Sequence, residues 1–215
     1  GAGSIKMRGQ SVNTVSRGDG IYLTGKLLTT SGLIDLYGIG GLSNNENYGV
    51  FQQSGAGTGI ETGIGAITIT GYGGASAGSF NNGIKFRGTS SILSTGTLSL
   101  TASTISGYIT TSATDPSRGN VTLNANNVVI NPGSYINSSG NITLKPITAS
   151  TSIGLGGGTG GLNLTDSELD RLSAAGTLVI GDSVSGTGDF DIDSWTLSSK
   201  PYDVQLFGKN FDLGG

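Results

Sequence analysis

The chain has 215 residues, a formal net charge of -3 at pH 7, 40 glycines, and neither cysteine nor histidine. The acidic balance argues against a nucleic-acid-binding protein, because no basic stripe is present to contact phosphates. The missing cysteines exclude disulfides and thiolate metal sites, and the missing histidines remove the commonest general base and zinc ligand. No apolar run approaches the ~20 residues of a membrane-spanning helix, so membrane insertion is not expected.

The high glycine content narrows the class of fold. The glycines follow no three-residue period, which excludes collagen. The low net charge and the abundance of Ile, Val, Thr and Leu argue against disorder. The sequence opens at Gly1 without the basic and apolar segments of a signal peptide, so we expect a fragment or a processed form of a longer protein.

Residues 1–95 are predicted to form coils built from long, two-part repeats. The first parts, GIYLTG, GVFQQSG and GIKFRG, begin at Gly20, Gly49 and Gly83. The second parts are LIDLYG, AITITG and LSLTA, in which apolar and polar residues alternate as in a short strand with one buried face. The Gly- and Asn-rich segments 38–48 and 71–82 are predicted to be turns or short excursions from one corner of a coil.

The repeats are shorter and more regular in residues 96–146. Gly119 and Gly140 open the same phrase 21 residues apart, GNVTL and GNITL, in which a glycine and a polar residue precede an apolar–polar–apolar triplet. Asp115–Pro116 and Asn131–Pro132–Gly133 are predicted turns. Short strands that recur every ~20–35 residues are typical of a repeat solenoid, here of roughly seven to ten coils. Related phrases begin at these further glycines: Gly32, Gly65, Gly96, Gly161, Gly176 and Gly188.

Residues 147–215 are predicted to hold the remaining coils, a short helix and an aromatic cluster. Thr165 and Glu168 have the spacing of a capping box, and Gly176 is placed to end a helix. We therefore predict an α-helix near residues 166–174, at one corner of a coil. The aromatic residues expected to close or thicken the core towards the C-terminal end are Trp195, Tyr202, Phe207 and Phe211.

Two stretches carry a family resemblance. The first is the succession GIYLTG, GAITITGYGG, NNGIKFRG and GTLSLTA between Gly18 and Ala102, and the second is LNLTDSELDRLSAAGTLVIGD from Leu162 to Asp182. Together they resemble the repeat region of filamentous-haemagglutinin-like adhesins, very large bacterial exoproteins exported by two-partner secretion. The resemblance implies a right-handed parallel β-helix, secretion, and attachment to a cell surface or matrix. It brings no catalytic or cofactor residues.

The tripeptide Arg17–Gly18–Asp19 matches the sequence that integrins recognise. It precedes a predicted strand, where a turn would display it to solvent. The favoured explanation is a plain turn between two coils, because a match of three residues arises often by chance in a Gly-rich chain. Arg17, Gly18 and Asp19 are nevertheless the candidate receptor-binding residues.

Asp189, Asp191 and Asp193 alternate with Phe190 and Ile192, so a strand would place the three carboxylates on one face. Such a row of oxygen ligands suits Ca²⁺. The segment lacks the glycine and glutamate of an EF-hand loop, and the repeated GGxGxDx pattern of calcium-loaded β-rolls is absent. The favoured explanation is therefore a solvent-facing row of acids that keeps the protein soluble and blunts lateral pairing.

The other acidic residues do not follow the pattern of an active site. A carbohydrate-cleaving enzyme needs clustered carboxylates, or a carboxylate with a basic partner, whereas these are scattered: Asp35, Glu46, Glu61 and Asp115. We therefore expect no enzyme, no catalytic residue and no cofactor. The following tyrosines are interpreted as packing or turn residues, although a few exposed ones would suit glycan contact: Tyr22, Tyr37, Tyr48, Tyr72 and Tyr108.

The sequence thus predicts an all-β protein, a right-handed parallel β-helix with one short α-helix, formed as one continuous solenoid from residues 1–95, 96–146 and 147–215. We expect a secreted or bacterial-surface fibrous protein that acts in adhesion or in attachment to the extracellular matrix. Its expected partner is a receptor or glycan on a host or neighbouring cell. The alternative is a structural subunit that stacks end to end with its own copies into an extracellular filament. A polysaccharide-binding or polysaccharide-cleaving β-helix is the least favoured class.

Overall fold

The computed structural model describes residues 1–14, 17–43, 45–53, 55, 59–75, 81–88, 91–107, 109, 111, 119–197 and 200–214. These residues form an all-β structure of short strands and one short helix. No helix among them is long and apolar enough to cross a membrane. In chain order the elements are β1 (Ile5–Gln10), β2 (Ile21–Leu23), β3 (Lys26–Thr29), β4 (Ile34–Ile39), β5 (Val50–Gln52), β6 (Gly59–Thr62), β7 (Ile67–Tyr72), β8 (Ile84–Phe86), β9 (Ser91–Leu93), β10 (Leu98–Ala102), β11 (Thr104–Gly107), β12 (Val121–Asn124), β13 (Asn127–Ile130), β14 (Ile136–Ser138), β15 (Ile142–Lys145), β16 (Ile153–Leu155), β17 (Leu162–Leu164), α1 (Asp166–Leu169), β18 (Leu172–Ala174), β19 (Thr177–Gly181), β20 (Phe190–Ile192), β21 (Asp203–Phe207) and β22 (Phe211–Asp212).

An eight-stranded parallel sheet runs through the molecule in the order β1-β4-β7-β10-β12-β15-β19-β21. Successive strands of this sheet come from successive repeats, and their apolar–polar–apolar triplets are in register. The polar middle residue points outward because side chains alternate along a strand. The first apolar positions of the triplets stack as Ile5, Ile34, Ile67, Leu98, Val121, Ile142, Leu178 and Val204. The strand phrase read from the sequence therefore describes this sheet correctly.

The other sheets are also parallel and are filled by the strands between those of the large sheet. A five-stranded sheet has the order β13-β11-β8-β5-β2, and a three-stranded sheet has the order β3-β6-β9. Towards the C-terminal end, a four-stranded sheet has the order β17-β16-β20-β22, and β14 pairs with β18. The inward side chains of all these sheets form one contiguous hydrophobic cluster of mostly Ile, Leu and Val.

Two columns of glycine explain why glycines mark the repeats. In the first column, a Cβ on each glycine at the end of a large-sheet strand would overlap the glycine that opens the next strand, in the pairs Gly9–Gly20, Gly38–Gly49 and Gly71–Gly83. The second column contains the glycines that precede the triplets, and a Cβ on each would crowd the carbonyl of the glycine one repeat earlier: Gly32, Gly65, Gly96 and Gly119. Only glycine allows the backbones to approach this closely.

The helix is shorter than the sequence predicts. It begins after Thr165 with the expected capping box, but it covers only Asp166–Leu169 and its C-terminal cap is Asp170. The predicted range 166–174 is wrong beyond Leu169, because Leu172–Ala174 forms β18 and pairs with β14. The predicted cap Gly176 instead donates its N–H to the Gly140 carbonyl of the neighbouring repeat, at 2.9 Å. Pairing with an adjacent strand thus outweighs the local helical pattern.

The C-terminal region departs from the regular repeat. The phrases after Gly161 and Gly188 form β17 and β20, which belong to the four-stranded sheet rather than to the large one. The last strand of the large sheet is β21, whose sequence DVQLF has no preceding glycine. Of the aromatic cluster, Tyr202 is buried in the core and Trp195 packs against it, whereas Phe211 stacks on Phe190 with ring centroids 4.9 Å apart and stays partly exposed.

The predicted turn at Asn131–Pro132–Gly133 is present, with Gly133 at a φ of 87° and a bond from the Ser134 N–H to the Asn131 carbonyl of 3.0 Å. The predicted turn at Asp115–Pro116 lies outside the described residues, as do Tyr108 and residues 76–80 of the second Gly- and Asn-rich segment.

Candidate functional site

The outward face of the five-stranded sheet carries a row of unlike side chains. Each middle position of a strand points away from the core, and the register places Tyr22 beside Phe51 and Phe51 beside Lys85. The row continues through Ser106 to Val129. This row begins with two aromatic residues, contains one cation, and ends with a small and an aliphatic residue.

Residues outside the strands cover the aromatic start of this row. Phe51 is only 2% exposed although it points outward, whereas Val129 at the far end of the row is 39% exposed. The Tyr48 ring stacks on the Phe51 ring with centroids 5.0 Å apart. The Tyr22 ring also stacks on the Phe51 ring, with centroids 5.5 Å apart. The Arg17 guanidinium lies above Phe51, with its carbon 4.0 Å from the ring centroid. The excursions that contain Arg17 and Tyr48 therefore form a second layer over the sheet.

The Arg17–Gly18–Asp19 tripeptide is part of this second layer. Arg17 Nε donates to Asp19 Oδ2 at 2.8 Å, and the other oxygen of Asp19 accepts from the Tyr48 N–H at 3.3 Å. The Asp19 side chain is 7% exposed and that of Arg17 is 30% exposed. A Cβ on Gly18 would overlap the Ser11 side chain. The two charged groups of the tripeptide are thus directed at each other and into the protein, rather than displayed to solvent.

In the ion pair of the tripeptide, the Asp19 carboxylate is more deeply buried than the Arg17 guanidinium. Burial raises the pKa of Asp19, and the hydrogen bond and charge of Arg17 offset only part of that effect. Burial lowers the pKa of Arg17, but contact with Asp19 outweighs this and the pKa of Arg17 is raised. The cost of desolvation therefore falls mainly on the carboxylate. Arg17 holds Asp19 in place and stays charged.

A cleft of about 300 Å³ opens where the second layer ends. Its lining includes the buried rings of Tyr48 and Phe86. Its cations are Arg17, Lys85 and Arg87. Glu46 and Asn131 provide polar groups at its wall.

Two features of the cleft reduce the stability of the folded chain. Burial lowers the pKa of Lys85, and the neighbouring charge of Arg87 lowers it further. Glu46 has a φ of 57°, and it is the one non-glycine residue of the described chain with a positive φ. Desolvated cations and strained backbone are concentrated at functional sites in many proteins. The arrangement is chemically suited to holding an anion.

Each of the three carboxylates of the candidate calcium site has its own neighbours in the structure. Asp191 Oδ2 accepts from the N–H and the hydroxyl of Thr159, each at 2.7 Å, and these contacts lower the pKa of Asp191. Asp189 accepts from the Asn210 amide at 2.7 Å, and Asp193 lies beside Gly157. Among the described residues, no group of three or more acidic side chains is placed to hold a metal ion.

A second cleft lies in the same region. Asp189 and Asp191 line it together with Asp212, which pairs with Asp191 across β20 and β22. Asp189 and Asp191 already accept hydrogen bonds from the side chains of Asn210 and Thr159, and Asp212 accepts from the Gly214 N–H at 3.3 Å. The described lining of this cleft contains no cation. Asp193, the third member of the predicted row, does not line it.

Sequence reasoning missed Lys85, Arg87 and Glu46. The available signal is the register of the first-part repeats, since Lys85 in GIKFRG occupies the position of Tyr22 in GIYLTG and Phe51 in GVFQQSG. Glu46 and Tyr48 reach the cleft through an excursion whose path the repeat does not predict. Of the tyrosines, Tyr48 is buried as a packing residue, whereas Tyr22 and Tyr72 are exposed.

Comparison with protein-family models, with curated proteins and with solved structures gives no match for this chain. The proposed function consequently depends on the sequence repeats and on the geometry of the sheets.

Proposed function

We propose that this chain is a segment of a secreted or cell-surface fibrous protein that acts in adhesion or in attachment to the extracellular matrix, as its resemblance to filamentous-haemagglutinin-like adhesins implies. Its proposed fold is a right-handed parallel β-helix in which each repeat forms one coil. The observation that carries the proposal is the eight-stranded parallel sheet in which each strand pairs with the strand of the next repeat. Such stacking produces a scaffold that extends in one direction.

In this proposal the stacked strands give the protein its length, and the segments between the strands form the surface that contacts a partner. Strands in a sheet lie ~4.8 Å apart, so eight of them span about 34 Å from first to last. Each coil is stabilised by its neighbours through backbone hydrogen bonds and through the stacked apolar residues. The residues that a repeat does not need for its strands pack outside the sheets, where they form the layer around Arg17 and Tyr48. In this proposal the protein binds a surface and performs no catalysis.

The proposal is tested by attaching the chain to fluorescent beads and measuring bead attachment to epithelial cells and to extracellular matrix. We expect saturable attachment that the free chain competes away. Beads coated with the heat-denatured chain serve as the control, because they carry the same composition and charge without the fold. Attachment no stronger than this control on every surface would contradict an adhesive function.

End-to-end assembly is the second candidate function. Within the described residues, the outer strands β1 and β21 of the large sheet each pair on one side only. Both strands keep apolar residues half-buried, Ile5 and Met7 on β1 and Val204 and Leu206 on β21. Because all the strands are parallel, β21 of one copy has the direction needed to pair with β1 of another. Negative-stain electron microscopy over a range of concentrations tests this: filaments that lengthen with concentration support it, and rods of fixed length contradict it.

A further inference from the structure

The five-stranded sheet ends at β13, although another strand lies close beyond it. Among the described strands, β13 pairs only with β11, and β17 contacts β13 without pairing with it. The strand β17 pairs instead with β16, which pairs with β20 of the next repeat. In the described part of the chain, the ladder of backbone hydrogen bonds on this face is therefore interrupted between β13 and β17.

The repeat that contains this interruption is longer than the repeat before it. Gly119 and Gly140 lie 21 residues apart, whereas Gly140 and Gly176 lie 36 residues apart. The longer repeat contains β16, the glycine-rich segment 156–161, β17 and α1 between β15 and β18. The chain therefore contributes two strands to this face within one repeat, and β17 is the additional strand that follows β13.

Two side chains from the α1 segment bond to the backbone of Ile130, the last residue of β13. The Ile130 N–H donates to Glu168 Oε1 at 3.0 Å, and the Ile130 carbonyl accepts from an Arg171 guanidinium nitrogen at 2.7 Å. The N–H of the next residue, Asn131, donates to the Gly107 carbonyl of β11, so the backbone groups of Ile130 face the opposite side. A paired parallel strand would supply one acceptor and one donor there. Glu168 and Arg171 supply both with their side chains.

Both residues are held in place by further contacts. The second carboxylate oxygen of Glu168 accepts from the N–H of Thr165 at 3.1 Å and from its hydroxyl at 2.9 Å. The Arg171 carbonyl accepts from the Ile136 N–H at 2.9 Å, where β18 begins to pair with β14. The two bonds to Ile130 are thus made by charged groups that are already positioned, and such hydrogen bonds are stronger than those between neutral groups.

We propose that Glu168 and Arg171 form a latch, which replaces the missing strand pairing at Ile130 and holds the repeats on the two sides of the interruption rigidly together. The large sheet continues past the interruption because β12 pairs with β15, and β14 likewise pairs with β18. The repeats can therefore separate only on the face of β13 and β17, by a hinge motion about the large sheet. The latch prevents that motion. This role goes beyond the adhesive function and is independent of what the protein binds.

Amide hydrogen exchange, measured by NMR on the ¹⁵N-labelled 215-residue chain, tests the bond to Ile130. Glu168→Ala removes the acceptor, so we expect the exchange rate of the Ile130 amide to rise about tenfold or more. Glu168→Gln keeps one oxygen and should raise it less. The Asn131 amide, which bonds to β11, should keep its rate. Asp166→Ala is the matched control, since Asp166 is an exposed acid on the same helix, and it should leave the Ile130 rate unchanged. An unchanged Ile130 rate in folded Glu168→Ala, or an equal rise at Ile130 and Asn131, would overturn the latch.

Spin labels test the rigidity that the latch provides. The chain has no cysteine, so labels at Val129→Cys and Asp193→Cys report the distance across the interruption. Val129 on β13 is 39% exposed, and Asp193 directly after β20 is exposed as well. Adding Glu168→Ala and Arg171→Met together is expected to broaden the distance distribution, whereas adding Asp166→Ala should leave its width unchanged. The amide spectrum shows whether each variant is folded. A folded double variant with an unchanged width would overturn the proposal.

Discussion

The Arg17 guanidinium lies directly over the ring of Phe51, 4.0 Å from its centroid, while its Nε donates to Asp19. This single contact closes the layer of excursions onto the outward face of the five-stranded sheet. Together with the stacked rings of Tyr48 and Tyr22, it buries an aromatic residue that points away from the core. The contact depends on a planar cation that stacks and donates hydrogen bonds at the same time.

Arg17→Lys is expected to destabilise the protein by about 1–2 kcal/mol, because an ammonium group keeps the charge but loses both the stacking and the fork geometry. The free energy of unfolding, measured by urea denaturation, gives the change. Arg8→Lys is the matched control, since Arg8 also pairs with an aspartate, Asp35 at 2.6 Å, and lies over Tyr37 at 5.7 Å. Its side chain is 53% exposed, so we expect a clearly smaller loss of stability than in Arg17→Lys. Equal losses in the two variants would show that the Phe51 contact has no special role.

Lys85→Gln is expected to stabilise the protein. The pKa of Lys85 is lowered, so the charged lysine is less favourable in the folded than in the unfolded chain at every pH below that lowered pKa. The penalty disappears as the pH rises through the lowered pKa towards the usual value for lysine. At pH 7 we expect a rise in Tm of about 1–2 °C by calorimetry, since about 0.5 kcal/mol corresponds to such a shift in a chain of this size. A fall in Tm would contradict the burial penalty on the charged lysine.

Gln52→Met is expected to raise the free energy of unfolding by about 1–2 kcal/mol. Gln52 points into the core between Leu23 and Phe86 and is fully buried, and neither polar atom of its amide has a hydrogen-bond partner in the described chain. Methionine has a similar length and no polar group to desolvate. Gln205→Met on the exposed face of β21 should change stability by no more than about 0.5 kcal/mol. Destabilisation by Gln52→Met would mean that the amide has a polar partner in solution.

Gly38→Ala tests the first glycine column. A Cβ at Gly38 would overlap the Gly49 carbonyl, which belongs to the backbone and cannot turn aside. We expect a loss of about 3 kcal/mol or more, or failure to fold. Gly25→Ala is the control because no atom lies near the position of its Cβ, and its effect should stay within about 0.5 kcal/mol. A mild effect at Gly38 would indicate that the two strands are farther apart in solution.

Asp191→Asn is expected to destabilise the protein at neutral pH, and this effect should shrink at acid pH. Thr159 lowers the pKa of Asp191 through two hydrogen bonds. A carboxyl with a lowered folded pKa contributes stability above its unfolded pKa of 3.8, and loses it as the pH falls through the folded value. Urea midpoints of both chains between pH 7 and pH 2.5 give the difference. A difference that is constant with pH would contradict the role of the charged hydrogen bonds.

The sequence predicts most strands of the large sheet, but it does not predict the cleft. The triplets that follow Gly65, Gly96 and Gly119 can be recognised as strands because close backbone packing requires glycine there. The strand β21 has no such glycine, so the sequence does not predict it. The local sequence of Leu172–Ala174 predicts a helix, but in the structure this segment pairs with β14 as a strand. Local pattern predicts the strands that every repeat shares. It fails where a single tertiary contact determines the local structure.

The sequence does not predict the cleft because its lining residues come from segments that are far apart in the chain. Lys85 and Arg87 are visible as an alternating basic pair, but their partners Glu46 and Tyr48 come from an excursion nearly 40 residues earlier. The Arg17–Gly18–Asp19 tripeptide is the converse case. Its sequence indicates an exposed turn, whereas Phe51 and Tyr48 draw both charges into the second layer.

The stacking of successive repeats in one sheet is the central claim, and a pair of spin-label distances tests it most directly. The chain has no cysteine, so Lys6→Cys with Gln205→Cys and Thr68→Cys with Gln205→Cys can each be labelled cleanly. All three positions are middle residues of in-register strands, separated by seven and by five strand spacings. At ~4.8 Å per spacing we predict two narrow distance distributions that differ by about 10 Å, near 34 Å and 24 Å before label linkers are added. Broad distributions, or two distances that do not differ in this way, would contradict the stacked scaffold and the adhesive function built on it.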